Sequence, residues 1–125
     1  MRALGDLEAQ VMRCIWARGQ PVTVRDIVGD LQRDRPVAYT TVMTVMSNLC
    51  RKGWLAREAD GRAYRYQPLV SAEEYSASMM RQALAASNDR AAALMHFIGD
   101  LSAEEAQALQ EAYRRLTEVS SRGRR

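Results

Sequence analysis

Apolar residues at Leu4, Leu7, Val11, Cys14 and Ile15 recur in steps of three and four, which places them on one face of a helix closing near Gly19. Thr23 stands where a helix cap is needed, with Asp26 three residues on to reach back. Val24, Ile27, Val28 and Leu31 then form the stripe of a short second helix. The break at RDRP, where Pro36 disfavours helical geometry at Arg35, precedes a third stripe of Val42, Val45, Met46 and Leu49. This predicts a helix over residues 38 to 52 that ends at Gly53.

The period then changes from helical to two. WLAREA and RAYRYQP alternate about Asp60-Gly61, a dipeptide suited to a two-residue hairpin turn because both residues accept positive φ. Pairing about that turn sets Leu55 against Tyr66, Arg57 against Tyr64 and Ala59 against Arg62. Leu55, Tyr64 and Tyr66 then share the face that packs on the helices, and a basic tip is left exposed. Three helices followed by a hairpin is the order of a winged helix-turn-helix. The expected fold is mainly α with a small β-hairpin wing, the winged domain occupying residues 1–70.

Beyond Pro68 the helical period returns. Ser71 with Glu74 and Ser102 with Glu105 are capping boxes, and Asn88 or Asp89 caps a shorter helix between them. These helices carry Met79, Leu84, Leu94, Phe97, Ile98, Leu109, Tyr113 and Leu116, interspersed with alanines that permit close helix approach. Roughly fifty residues in three short helices bury too little surface to offset chain entropy by themselves. Residues 71–119 therefore read as a helical dimerisation region in which two chains share a core. The competing reading folds them back on the winged domain. Residues 120–125, SSRGRR, read as a basic disordered tail.

Composition narrows the function. The chain has 125 residues, 47% hydrophobic and 26% charged, the profile of one soluble domain with an appendage. No apolar run approaches the ~20 residues of a membrane span, and the N-terminus has no signal-peptide stretch, so the expectation is a cytoplasmic protein without membrane insertion. Cys14 and Cys50 fall in apolar helical patterns and read as small buried hydrophobes. With the single His96 they give no metal-ligand spacing, and no cofactor or metal is expected. There is no Gly-rich phosphate loop, no nucleophile elbow and no His near a Cys or Ser, which excludes the common enzyme classes. The net charge of +3 is concentrated in the first seventy residues, above all between Arg51 and Tyr66, where Arg51, Lys52, Arg57, Arg62 and Arg65 face only Glu58 and Asp60.

Opposite the core stripe of the third helix stand Thr40, Thr41, Thr44, Ser47, Asn48 and Arg51, with Tyr39 at the helix start. Threonine is a poor exposed helical residue, because its branched side chain loses rotamer freedom and its hydroxyl competes for backbone partners. Short hydroxyl and amide groups suit base edges in a major groove. Arg51 and Lys52 at the helix end, with Arg57, Arg62 and Arg65 on the hairpin, bracket the stripe as phosphate clamps and a minor-groove wing would. The bland account is that the threonines cap and solvate a helix and the arginines line an ordinary surface.

The segment AYTTVMTVMSNLCRKGWLAREADGRAYRYQP resembles the core signature of the penicillinase-repressor family, winged-helix repressors of β-lactamase and methicillin-resistance genes. In that signature a T-x-x-T recognition helix runs into L-x-x-K-G, a G-R wing and a closing Y-x-P. LGDLEAQVMRCIW is similar to the family's first helix. The resemblance covers essentially the whole chain. It implies a homodimeric repressor of antibiotic-resistance genes bound to double-stranded operator DNA of dyad symmetry. Thr41 and Thr44 would be recognition threonines, Arg51 and Lys52 the basic helix end, and Gly61 and Arg62 the wing. It also implies release by a regulatory protease at an Asn-Phe bond, in whose place this chain has His96-Phe97. A copper-sensing branch carries a C-terminal cysteine cluster, which this sequence lacks. Two other classes stand beside this reading: a winged-helix protein-interaction module without DNA binding, and a regulator released by a small molecule held at the dimer interface.

Overall fold

The computed structural model describes residues 1–123, the last three by backbone alone. In order these are α1 (Asp6–Arg18), α2 (Val24–Leu31), α3 (Tyr39–Arg51), β1 (Leu55–Asp60), β2 (Ala63–Pro68), α4 (Ala72–Ala85), α5 (Arg90–Gly99) and α6 (Ala103–Gly123). The architecture is mainly helical with one two-stranded antiparallel hairpin, as the periodicities predict. The backbone at 120–123 is helical where composition predicts a disordered tail; Arg124 and Arg125 lie outside the described residues.

The starts of the first two helices, and the end of the first, are set by signals written in their own sequence. Glu8 reaches back to accept the Gly5 N–H at 3.0 Å, so α1 starts at Asp6, and Gly19 ends it in the left-handed region at φ 66°. Thr23 Oγ1 accepts the Asp26 N–H at 3.2 Å while Asp26 Oδ2 accepts the Thr23 N–H at 3.0 Å, a reciprocal cap for α2. The buried side of α1 is Val11, Met12 and Ile15. Met12 takes the central place there, and Leu7 and Cys14 remain half-buried. From α2 come Val24, Ile27, Val28 and Leu31, and from α3 come Val42, Met46 and Leu49, all three without exposed surface.

The hairpin departs from the expected register. Leu55 pairs with Pro68, Arg57 with Tyr66 and Ala59 with Tyr64, so the two-residue turn is Gly61-Arg62 and not Asp60-Gly61. Gly61 has φ 63° and Arg62 does not share the positive φ, the pattern of a type II′ turn with glycine first. The displacement is by two residues, so each side chain keeps its expected face. Leu55 and Tyr66 are buried, but Tyr64, expected inside, is 46% exposed. The hairpin is fastened to the α1–α2 connection by a bridge: the Val22 N–H donates to the Tyr66 carbonyl at 2.9 Å and the Tyr66 N–H to the Val22 carbonyl at 2.7 Å.

The chain divides into two compact units, the first from Met1 to Met80. That boundary lies past residue 70 because the start of α4 packs on the winged elements. Tyr75 meets Trp54 edge-on at 5.4 Å and lies 5.9 Å from Trp16. The Leu4 N–H donates to the Tyr75 hydroxyl at 3.2 Å, and Trp16 Nε1 donates to the Val70 carbonyl at 2.8 Å. The second unit begins at Arg81. In it Asp89 caps α5 by accepting the Ala92 N–H at 3.1 Å, and Ser102 and Glu105 cap α6 reciprocally at 2.9 and 3.1 Å. Both cysteines are free and half-buried, and burial pushes each thiol up from its ordinary value.

The closed packing around Met46 leads to a quantitative expectation. Met46→Ala removes a side chain with no exposed surface and should cost about 2–5 kcal/mol. In urea unfolding this should appear as a lowered midpoint at unchanged slope.

Candidate nucleic-acid interface

With Val42, Met46 and Leu49 turned inward, the opposite side of α3 is fixed. At about 100° per residue, Thr40, Thr41, Thr44, Ser47, Asn48 and Arg51 fall within a stripe roughly 120° wide opposite that trio. All are exposed except Asn48, which is half-buried. Two hydrogen bonds organise the stripe. Thr44 Oγ1 donates to the Thr40 carbonyl at 2.9 Å, and Arg51 Nη2 donates to Asn48 Oδ1 at 2.7 Å.

The other expected residues are placed differently. Tyr39, 50% exposed, lies on the flank of the helix with Met43 and not at the centre of the stripe. Lys52 forms the C-cap of α3, and its ammonium is 2.8 Å from Glu8 Oε2 on α1. That bond to Lys52, with the Gly5 N–H second, holds the Glu8 carboxyl below its ordinary value of 4.5. Arg65 Nε donates to Asp60 Oδ2 and pairs across the strands with Glu58, on the hairpin face opposite Leu55 and Tyr66. Arg62 occupies the hairpin turn, exposed and without a partner among the described residues. Arg57 lies over the exposed Tyr64 ring at 4.4 Å from its centroid.

The structure thus brings six of the expected residues onto one face of α3, sets Arg62 at the wing tip, and ties Lys52 and Arg65 to carboxylates. Sequence reasoning missed Glu8 as the partner of Lys52, because the two are 44 residues apart and no local pattern links them. It also missed Tyr64 as a surface ring.

In the second unit the apolar set is largely uncovered. Leu94, Phe97, Ile98 and Leu109 are exposed, and Tyr113 and Leu116 are 71% and 70% exposed. Leu84 is half-buried, and Met79 falls in the first unit, half-buried. Met95, an apolar residue of the same short helix, is exposed as well, and so is Val119, which was not singled out from the sequence. His96 and Phe97 lie within α5, both exposed. No residue of α5 is buried. Among the described residues no helix is long and apolar enough to cross a membrane.

A family model described as penicillinase repressor matches residues 4–115. The chain belongs to this family. It is 45% identical over 112 residues to the transcriptional regulator BlaI of Mycobacterium tuberculosis, an alignment covering 87% of this chain and 81% of that protein. Among solved structures it is similar to the monomeric form of Bacillus licheniformis BlaI in complex with the blaP half-operator. There the identity is 24% and the TM-score 0.50, over 59% of this chain and 89% of that one. It is also similar to a point mutant of Staphylococcus aureus MepR bound to an oligodeoxyribonucleotide, at 18% identity and a TM-score of 0.54 over 93% and 79%. These two likenesses show the winged-helix fold. The curated relatives at 45% identity are named as transcriptional regulators, not enzymes, in agreement with the sequence reading of a non-catalytic chain.

The Glu8–Lys52 pair sets a pH dependence. A carboxyl held below its ordinary value contributes stability that is present above 4.5 and lost as pH falls through its folded-state value. Glu8→Gln should therefore lower the melting temperature by a constant amount near neutrality, and the gap to wild type should close as the buffer is taken below pH 4.5.

Proposed function

We propose that this chain is a homodimeric, cytoplasmic transcriptional repressor that reads one half of a dyad operator with α3 of each copy and controls β-lactam-responsive or related stress genes. The observation that carries the reading is the polar, threonine-rich face of α3, exposed opposite a core trio with no exposed surface. A protein-interaction module has no need of that face. Short hydroxyl and amide groups on a helix thick enough to fill a major groove match base edges there. Arg62, alone on the wing turn, is free for a phosphate. The M. tuberculosis relative is a named transcriptional regulator, and the B. licheniformis protein is bound as a monomer to a half-operator, which fits one half-site per chain.

The second unit supports the dimer. Its α5, RAAALMHFIG, is apolar nearly all round and buries none of its residues in a single chain. Such a helix is stable in water only when other helices enclose it. On α6, Leu109, Tyr113, Leu116 and Val119 follow the same three- and four-residue steps. A second copy supplies the cover, and linking two half-site contacts in one particle raises affinity by roughly 10²–10⁴ through effective concentration. Any agent that opens these helices, a regulatory protease acting at His96-Phe97 included, releases the operator.

Sedimentation tests the dimer: wild type should run as a dimer and Leu109→Asp as a monomer, with operator affinity falling by about 10²–10⁴. A Leu109→Asp protein that stays dimeric would show that the α6 stripe is intrachain core. Titration of the full chain on the DNA upstream of its own gene, against unrelated DNA of equal length at two salt concentrations, tests the operator. Preference of at least ~10³-fold supports sequence-specific repression. Arg62→Ala should weaken both DNAs and lower the salt dependence by about one phosphate's share.

A further inference from the structure

Which base edges α3 can read is decided by the hydrogen bonds already made on its outer face. Arg51 lies one turn beyond Asn48 and donates to its amide at 2.7 Å. A guanidinium carries only donors, so the amide atom turned toward it is the oxygen, and the amide nitrogen with its two N–H groups is turned away. The pair presents the two amide N–H groups of Asn48 and the remaining N–H groups of Arg51, while the one strong acceptor is engaged by a cation. One turn earlier, Thr44 has given its only hydroxyl hydrogen to the Thr40 carbonyl at 2.9 Å. Thr44 therefore offers lone pairs and a methyl, and no donor. Asn48 and Arg51 thus form a donor pair, and Thr44, one turn earlier, an acceptor-and-methyl site beside it.

The four bases differ along the same line. In the major groove guanine presents two adjacent acceptors, N7 and O6. Adenine presents one acceptor beside a donor, cytosine a donor, and thymine an acceptor beside a methyl. The usual asparagine–adenine pair needs the amide oxygen turned to the base, and here that oxygen faces Arg51. We propose that Asn48 and Arg51 act as one donor unit that selects guanine at a fixed position of the half-site. Thr44, having no donor to give, meets a thymine methyl or a base amino group at a neighbouring position. This rests on the reading of α3 as the recognition helix and adds the base that it selects.

The test begins with selection of bound fragments from a randomised DNA pool by the full-length protein. Affinities are then measured on the selected half-site carrying guanine, 7-deazaguanine or adenine at the invariant position. Wild type should return a guanine in each half-site, and removing N7 or substituting adenine should cost roughly tenfold or more. Asn48→Asp, which keeps the shape but replaces N–H donors by oxygens, should bind the three DNAs alike, and Arg51→Ala should narrow the difference. Thr44→Val should keep the guanine preference. Retained binding of each variant to random DNA shows that it is folded. A selected half-site without guanine, or a guanine preference that survives both Asn48→Asp and Arg51→Ala, overturns the inference and leaves α3 as the reader. A pool that yields no sequence preferred over unrelated DNA overturns the recognition-helix reading along with it.

Discussion

Val42, Met46 and Leu49 occupy one side of a thirteen-residue helix and have no surface left in contact with water. Burying them removes the rotational freedom of α3, because turning the helix by one residue would carry Thr41 and Asn48, or in the other direction Ser47, into an apolar core without hydrogen-bond partners. The rest of the first unit serves that arrangement. α1 and α2 close over the trio, and the wing is held by the paired backbone groups of Val22 and Tyr66, both buried. Unmade backbone hydrogen bonds at that depth would each cost on the order of 1–3 kcal/mol. The outward face of α3 is therefore presented by packing and not by any contact of its own.

The same packing sorts the positive charge. Arg18 bonds Asp30 at 2.9 Å, Lys52 bonds Glu8 and Arg65 bonds Asp60. Exposed pairs of this kind add little stability. Their larger effect is to commit three cations of the basic first half to carboxylates and leave Arg51 and Arg62 without a carboxylate partner among the described residues, with Arg57 stacked on Tyr64. A polyanion meeting this surface competes with Glu8 for Lys52 but with nothing for Arg62. Phosphate contact and charge count thus diverge residue by residue, although the sequence shows only a basic segment.

What the sequence made legible is what is written within about four residues: the Thr23–Asp26, Ser71–Glu74 and Ser102–Glu105 caps, the stop at Gly19, and the stripe and outer face of α3. Contacts between distant segments were not legible. Alternation fixes which face a strand residue takes but is blind to a displacement by two, so the turn at Gly61-Arg62 and the turn at Asp60-Gly61 fit the pattern equally well. Only the backbone, with positive φ at Gly61 alone, separates them. Tyr64 has the parity of a core residue but is 46% exposed. The extension of the first unit to Met80 depends on Tyr75 meeting Trp16 and Trp54, and the Lys52 pair on Glu8; no local rule announces either.

The two helices that close the chain differ in a way that bears on the proposed dimer. α6 has a polar side, where Glu111 bonds Arg114 and Arg115 and Glu118 bonds Arg114, opposite Leu109, Tyr113 and Leu116. It needs cover on one side only. α5 has no such side, and Leu94, Met95, Phe97 and Ile98 are all exposed. In a shared core α5 therefore belongs at the centre, enclosed from more than one direction, and α6 at the rim with its ion pairs in water. On the proposed dimer the second unit would owe its stability to association, and its folding and operator occupancy would both depend on protein concentration. A small local opening of α5 would then be enough to release the operator, since the side chains that hold the second unit together would also be those that join the two copies.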